Sequence, residues 1–128
     1  MRVVIQRVSK ASVSIGEEIY SQIQQGLLIL LGIENNDTAE DVKWLSNKIA
    51  NLRILSDENG QMNKSILDVK GQVLVVSQFT LHAKTKKGNR PSFIEAARPE
   101  IAIPLYETFI KRLSLDAQQE VQTGKFGA

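Results

Sequence analysis

Residues 73–81 constrain this chain more than any other stretch. An apolar run, Val73 to Val76, delivers a polar cluster, Ser77, Gln78 and Thr80, at its carboxyl end. The run is β-branched and too short for a helix, so it predicts a buried strand. A strand that stops in hydroxyls and an amide holds polar groups rigidly at the mouth of a pocket. The plainer reading is a strand end whose hydroxyls satisfy neighbouring backbone groups.

Around that strand the pattern predicts one α+β domain over residues 1–128. Strand signals fill the first third, over 1–8, 11–15, 19–23 and 27–33, with Gly16, Gly26 and Gly32 as punctuation. Residues 27–31 are apolar throughout, as in a strand buried on both faces. Helical spacing then takes over: Thr38 is a cap, Glu40 and Asp41 suit the helix start, and Val42, Leu45, Ile49 and Leu52 form a stripe. Trp44 lies off that stripe, where a packing role at its border is expected rather than a stacking platform. Residues 53–56 return to extended structure, Asp57-Glu58-Asn59-Gly60 is a turn, and 66–69 reads as a further strand. A second helix carries Ile101, Leu105, Tyr106, Phe109, Ile110 and Leu113. Pro104 places its regular start near Ile101, because a proline deeper in a helix blocks a backbone hydrogen bond. The expected architecture is a mostly antiparallel, barrel-like sheet with two principal helices segregated from it.

Composition narrows the chemistry. With 128 residues, 42% of them apolar, the chain can bury a proper core. No apolar run approaches the ~18 residues of a membrane span, and the amino terminus lacks a signal-peptide pattern. A cytoplasmic protein with no membrane partner is expected. The absence of cysteine removes disulfides, thiolate catalysis and Cys-ligated zinc. A single histidine, His82, leaves no His-rich metal site, and no Asp/Glu spacing resembles a Ca²⁺ loop, so no cofactor is expected.

Net charge is only +2, with a pI near 9.0, but its placement is informative. Residues 84–90 hold Lys84, Lys86, Lys87 and Arg90 with no anion, directly after the polar cluster. They suit either a solvated loop or a phosphate-contacting edge. A Ser-His-Asp triad is disfavoured: His82 lies five residues beyond Ser77, and residues an odd number apart on a strand face opposite sides. Gly124-Lys125 lacks the rest of a P-loop. An enzyme built on these residues must work with hydroxyls, backbone N–H groups and whatever its substrate brings.

Ordered motifs then carry a resemblance. They are Ile5-Gln6-Arg7-Val8, Ala11-Ser12-Val13, Gly26-Leu27-Leu28, Leu30-Leu31-Gly32, Arg53-Ile54 with Ser56-Asp57, and Met62-Asn63. The most specific are Ser77-Gln78-Phe79-Thr80-Leu81, Arg90-Pro91-Ser92-Phe93 and Thr123-Gly124-Lys125-Phe126. In these the chain resembles the D-aminoacyl-tRNA deacylases (the D-tyrosyl-tRNA deacylase family) from end to end. The resemblance implies a cytoplasmic homodimer that hydrolyses the ester of D-aminoacyl-tRNA and glycyl-tRNA and spares the L ester. Its partners would be tRNA and a second copy, not DNA. It implies that residues 77–81, Leu81 included, line the pocket for the aminoacyl group and terminal adenosine, with Arg7, Met62 and Asn63 in support. It offers two mechanisms: Thr80 as nucleophile, or the Phe79 backbone N–H with the ribose 2′-hydroxyl. The second is favoured, because an unactivated hydroxyl without a base is a poor nucleophile.

Two departures stand out. The family's stereochemical wall, a Gly-Pro pair beyond Thr123–Phe126, has no counterpart among Pro91, Pro99 and Pro104. His82 stands where the family usually carries a small residue, with no catalytic role expected of it. Two rival readings accept the same residues: a non-catalytic RNA-binding module, and a protein that binds a free metabolite at Ser77–Thr80.

Overall fold

The computed structural model describes residues 1–83 and 88–126. Strands β1 (Arg2–Val8), β2 (Ala11–Ile15), β3 (Glu18–Ile23) and β4 (Gly26–Gly32) fall where the alternation predicts. Helix α1 (Ala39–Asn51) follows, then β5 (Leu55–Ser56), β6 (Met62–Lys64), the one-turn α2 (Ile66–Val69) and β7 (Gln72–Ser77). A 3-10 turn, Phe79–His82, leads on to α3 (Pro99–Asp116) and β8 (Gln122–Thr123). The α+β class holds, but the main sheet is mixed, in the order β1-β4-β7-β8. β1 runs antiparallel to β4, whereas β4 and β7, and β7 and β8, are parallel. β2–β3 and β5–β6 form separate two-stranded pairs, and the described residues close no barrel.

Burial explains the layering. One face of β4 and β7 puts Leu27, Ile29, Leu31, Val73 and Val75 against Val42, Leu45 and Ile49 of α1 and Tyr106, Phe109 and Leu113 of α3. Leu28 and Leu30 are only half-buried, so β4 is not sealed on both faces. On the second face Leu74 and Ile23 are buried. A Cβ on Gly124 would lie 3.6 Å from Val76 and 3.8 Å from Val13, so the β2–β3 hairpin reaches over that face.

Local chemistry sets the helix starts. Asp41 accepts the Thr38 backbone N–H at 2.8 Å, which fixes the entry to α1. The expected strand over 66–69 is instead α2: the Ser65 hydroxyl accepts the Asp68 N–H at 3.2 Å and the Asp68 carboxylate accepts the Ser65 N–H at 2.9 Å. That reciprocal cap outweighs the β-like run of apolar residues. α3 begins at Pro99 rather than Ile101, so Pro104 sits inside it. Pro99 suits the first turn, where an N–H has no partner anyway, whereas Pro104 cannot donate to the Glu100 carbonyl.

The start of β7 is closed by a side chain. Gln119, just past α3, accepts the Val73 N–H at 2.9 Å and donates to the Gly71 carbonyl at 2.6 Å. It mimics a neighbouring strand where β8 has not yet begun.

Candidate active site

β7 ends at Ser77, paired in register with Leu31, and the Gln78 N–H still donates to the Leu31 carbonyl at 2.8 Å. The chain then tightens into the 79–82 turn. This turn lies directly on β4 because position 32 has no side chain. A Cβ on Gly32 would meet Leu81 Cβ at 2.9 Å, His82 Cδ2 at 3.0 Å and the Gln78 carbonyl at 3.1 Å. Arg2, opposite Gly32 on β1, donates to the Leu81 carbonyl at 2.9 Å. The sequence motifs passed over this contact, although Arg2 sits at the start of the first strand.

A cavity of about 380 Å³ opens at this strand end, lined by Leu31, Ile33, Ser77, Gln78, Phe79, Phe93, Ala96, Ala97, Pro99, Ala102 and Phe126. Its walls come from four separate stretches of chain. Phe79 and Phe93 meet edge-to-face with ring centroids 5.1 Å apart. Phe126 is held by Tyr106, whose ring lies 5.7 Å away. Tyr106 donates to the Val75 carbonyl at 3.4 Å, and burial pushes its hydroxyl pKa up to about 12. The wall from Phe93 to Ala97 is stitched to the end of β4 by the Ala97 N–H to Ile33 carbonyl bond, 2.9 Å, and by an antiparallel bridge between Glu34 and Ala96.

The polar rim has a definite arrangement. Gln78 Nε2 donates to Thr80 Oγ1 at 2.5 Å. An amide donor on that oxygen occupies a lone pair and removes no proton, so it does not activate Thr80 for attack. Among the described residues the backbone N–H groups of Phe79 and Thr80 have no acceptor. Two such donors at the start of a turn are what a developing oxyanion requires.

His82 is 2% exposed and off the cavity lining. Its Nδ1 faces Glu34 Oε2 at 3.5 Å, and neither ring nitrogen has a hydrogen bond among the described residues. The Ser77–His82 triad is therefore not assembled.

Other expected site residues are dispersed. Thr80 and Leu81 belong to the turn but do not line the cavity. Arg7 pairs with Leu27 at the far end of β1, about 17 Å along the strand from Arg2. It lines a separate polar hollow with Ser9, Gln25 and Ser56. Met62 and Asn63 lie on β6, both exposed and away from the cavity lining, so Met62 is not core. Arg53 donates to the Asn63 backbone carbonyl at 3.0 Å and also to its side-chain oxygen. The turn before β6 is fixed by Asp57, whose carboxyl is held below its usual range chiefly by the Gln61 backbone N–H. Arg90 is exposed, while Lys84, Lys86 and Lys87 lie outside the described residues. Among the described residues no three His, Asp or Glu side chains converge as a metal site would need.

These features define an α+β domain with an apolar cavity at a strand end, beside a turn whose first two backbone donors have no acceptor among the described residues. The chain belongs to the D-Tyr-tRNA(Tyr) deacylase family, whose sequence model matches residues 4–128. It is 65% identical over 128 residues to the D-aminoacyl-tRNA deacylase of Bacteroides fragilis (strain YCH46), covering 100% of this chain and 85% of the relative. Identity to the D-aminoacyl-tRNA deacylase of Flavobacterium psychrophilum is 60%, with the same coverage. A solved structure of c-Myc DNA Unwinding Element Binding Protein superposes with a TM-score of 0.94 at 42% identity, covering 100% of this chain and 87% of that one. A second, of a probable eukaryotic D-amino acid tRNA deacylase, gives 0.82 at 14% identity, covering 98% and 88%, and supports the fold alone.

Proposed function

We propose that this chain hydrolyses the ester bond of D-aminoacyl-tRNA, releasing the free D-amino acid and the tRNA. The observation that carries this reading is an apolar cavity lined by Phe79, at a turn where the N–H groups of Phe79 and Thr80 have no acceptor among the described residues, in a chain whose relatives are named for that reaction. The aminoacyl side chain enters between Phe93, Ala97 and Phe126, and the carbonyl oxygen points to the turn. Water adds to the carbonyl, the bond to the ribose oxygen breaks, and the leaving oxygen takes up a proton. The ribose 2′-hydroxyl assists in place of a protein base. Removing one oxyanion-hole donor from an acyl-transfer site costs about 3–4 kcal/mol. Ser77 and Gln78 orient the substrate, and Lys84, Lys86, Lys87 and Arg90 meet tRNA phosphates. Glycyl-tRNA, which carries no side chain to reject, is a substrate by the same geometry.

The reading extends to a cytoplasmic homodimer. β1 is an open sheet edge with Val4 half-exposed, and the β2–β3 hairpin leaves Ile19 and Tyr20 in solvent. A second copy is also the simplest way to bring Arg7 to a cavity from which its own strand carries it away. Sparing of L esters is assigned by the resemblance to a Gly-Pro pair, and the 128 residues contain no such pair.

The test is deacylation of matched D- and L-tyrosyl-tRNA against the spontaneous rate. Loss of the D ester supports the reading. Loss of both esters supports the hydrolytic site without its stereochemical wall. Tight tRNA binding with loss of neither ester favours the RNA-binding module instead.

A further inference from the structure

Helix α1 buries Val42, Leu45, Ser46, Ile49 and Ala50, and turns a different set of residues outward. Trp44, the only tryptophan of the chain, is 64% exposed on that outer face. This overturns the expected packing role. Lys48 Nζ stands 5.6 Å from the centre of the indole ring, and Lys43 and Asn47 flank it. With Asn51 and Arg53 they surround a shallow hollow of about 550 Å³. Three cations and one carboxylate, Glu40, line it, so the hollow carries a positive balance. Leu52 is its only aliphatic lining residue.

That chemistry selects a partner. A protein or lipid surface would want a broader apolar patch around the indole. An unpaired nucleotide wants a flat aromatic face with cations beside it, because the base stacks and the phosphates meet the charges. Placement agrees. Leu31 and Ile33, at the carboxyl end of β4, line the cavity, and α1 begins at Ala39. Trp44 therefore lies about 8 Å along the helix axis from the start of α1, the helix that follows β4 in the chain.

We propose that the outer face of α1 is a second tRNA-contact surface: Trp44 stacks on an unpaired base, and Lys43 and Lys48 contact the adjoining phosphates. This rests on the reading of tRNA as substrate and extends it to a surface outside the cavity.

Because Trp44 is the only indole, its fluorescence reports on the surface directly. Titrating the full 128-residue chain with deacylated tRNA should quench the emission and shield it from acrylamide. Trp44→Ala should weaken tRNA binding roughly fivefold or more, and Trp44→Phe should restore most of it. Lys43→Gln and Lys48→Gln should each lower the slope of log affinity against log salt by about 0.7–0.9. Lys111→Gln, on the exposed side of α3, is the charge control and should leave that slope unchanged. Unaltered emission and acrylamide access at saturating tRNA would overturn the proposal, as would wild-type affinity in Trp44→Ala. So would an indole already shielded without RNA in a concentration-dependent way, which would place a second copy there. Cleavage of the short ester D-tyrosyl-adenosine by the parent protein separates the two readings, since that substrate does not extend to α1. Failure to cleave it counts against the hydrolase, and failure of the fluorescence titration counts against the α1 surface.

Discussion

The His82 imidazole and the Glu34 carboxylate face each other at 3.5 Å across the seam between the 79–82 turn and the opposite cavity wall. His82 ends the turn that begins at Phe79, and Glu34 bridges to Ala96. Glu34 is itself held in place: its N–H donates to Asp37 at 2.8 Å, and Asp37 pairs with the Met1 ammonium at 2.5 Å. Glu34→Ala removes the carboxylate that faces the buried ring and should destabilise the fold by about 1 kcal/mol or more. Adding His82→Leu should recover most of that loss, because the buried ring that the carboxylate faced is then replaced by an apolar side chain. Urea unfolding of the two single variants and the double variant measures the coupling, and simple additivity would mean the contact is idle.

Gly32→Ala should damage activity more than stability. The added methyl meets Leu81 and the Gln78 carbonyl at about 3 Å, so the turn must lift from β4. Overpacking of this kind costs roughly 1–3 kcal/mol, and displacement of the Phe79 N–H should lower kcat tenfold or more. Single-turnover deacylation beside thermal melting separates the two effects.

Phe79→Pro removes the backbone donor and should abolish hydrolysis in a chain that still folds. Thr80→Ala should reduce the rate less than about tenfold, because Thr80 already accepts a hydrogen bond from Gln78 and has no base beside it. Complete loss in a folded Thr80→Ala variant would instead restore Thr80 as the nucleophile. Deacylation rates of the two variants on one batch of D-tyrosyl-tRNA give the comparison.

Tyr106 makes stability sensitive to alkali. Its folded pKa is raised to about 12, mainly by burial, against an ordinary value of 10.0. The neutral hydroxyl is the form the fold accepts, so this contribution is whole below pH 10 and is lost as pH rises toward 12. Tyr106→Phe should flatten the difference in stability between pH 9 and pH 11. Denaturant midpoints at the two pH values test it, and an unchanged slope would place the alkaline sensitivity elsewhere.

Much of the fold was readable because its determinants are local. The alternation in β1 and β2, the Thr38 cap and the Asp57–Gly60 turn each act within a few residues. The same rule exposes the misreading of α2: Ser65 and Asp68 stand at capping-box spacing, but the apolar run over 66–69 drew attention from them. The mixed sheet was not readable, since β8 is two residues long and gains its identity only by lying parallel to β7. The site divides in the same way. Ser77 and Gln78 could be named from a strand running into polar residues. The opposite wall could not be derived from spacing, because Phe93, Ala97 and Phe126 are brought in by tertiary contacts. Two of those residues, Phe93 and Phe126, close motifs that carried the family resemblance. Trp44 escaped because exposure depends on whether anything covers the helix, which one amphipathic stripe does not say.

The use of Gln119 and β8 to flank β7 has a bearing on synthesis. A chain emerging from the ribosome makes β1, β4 and β7 first, yet one side of β7 stays bare until residues 119–123 follow. During that interval the strand whose end lines the cavity is also an uncovered template for another chain. Slow translation across α3 would lengthen the exposure. Folding of this enzyme is therefore most vulnerable between the emergence of β7 and that of residues 119–123.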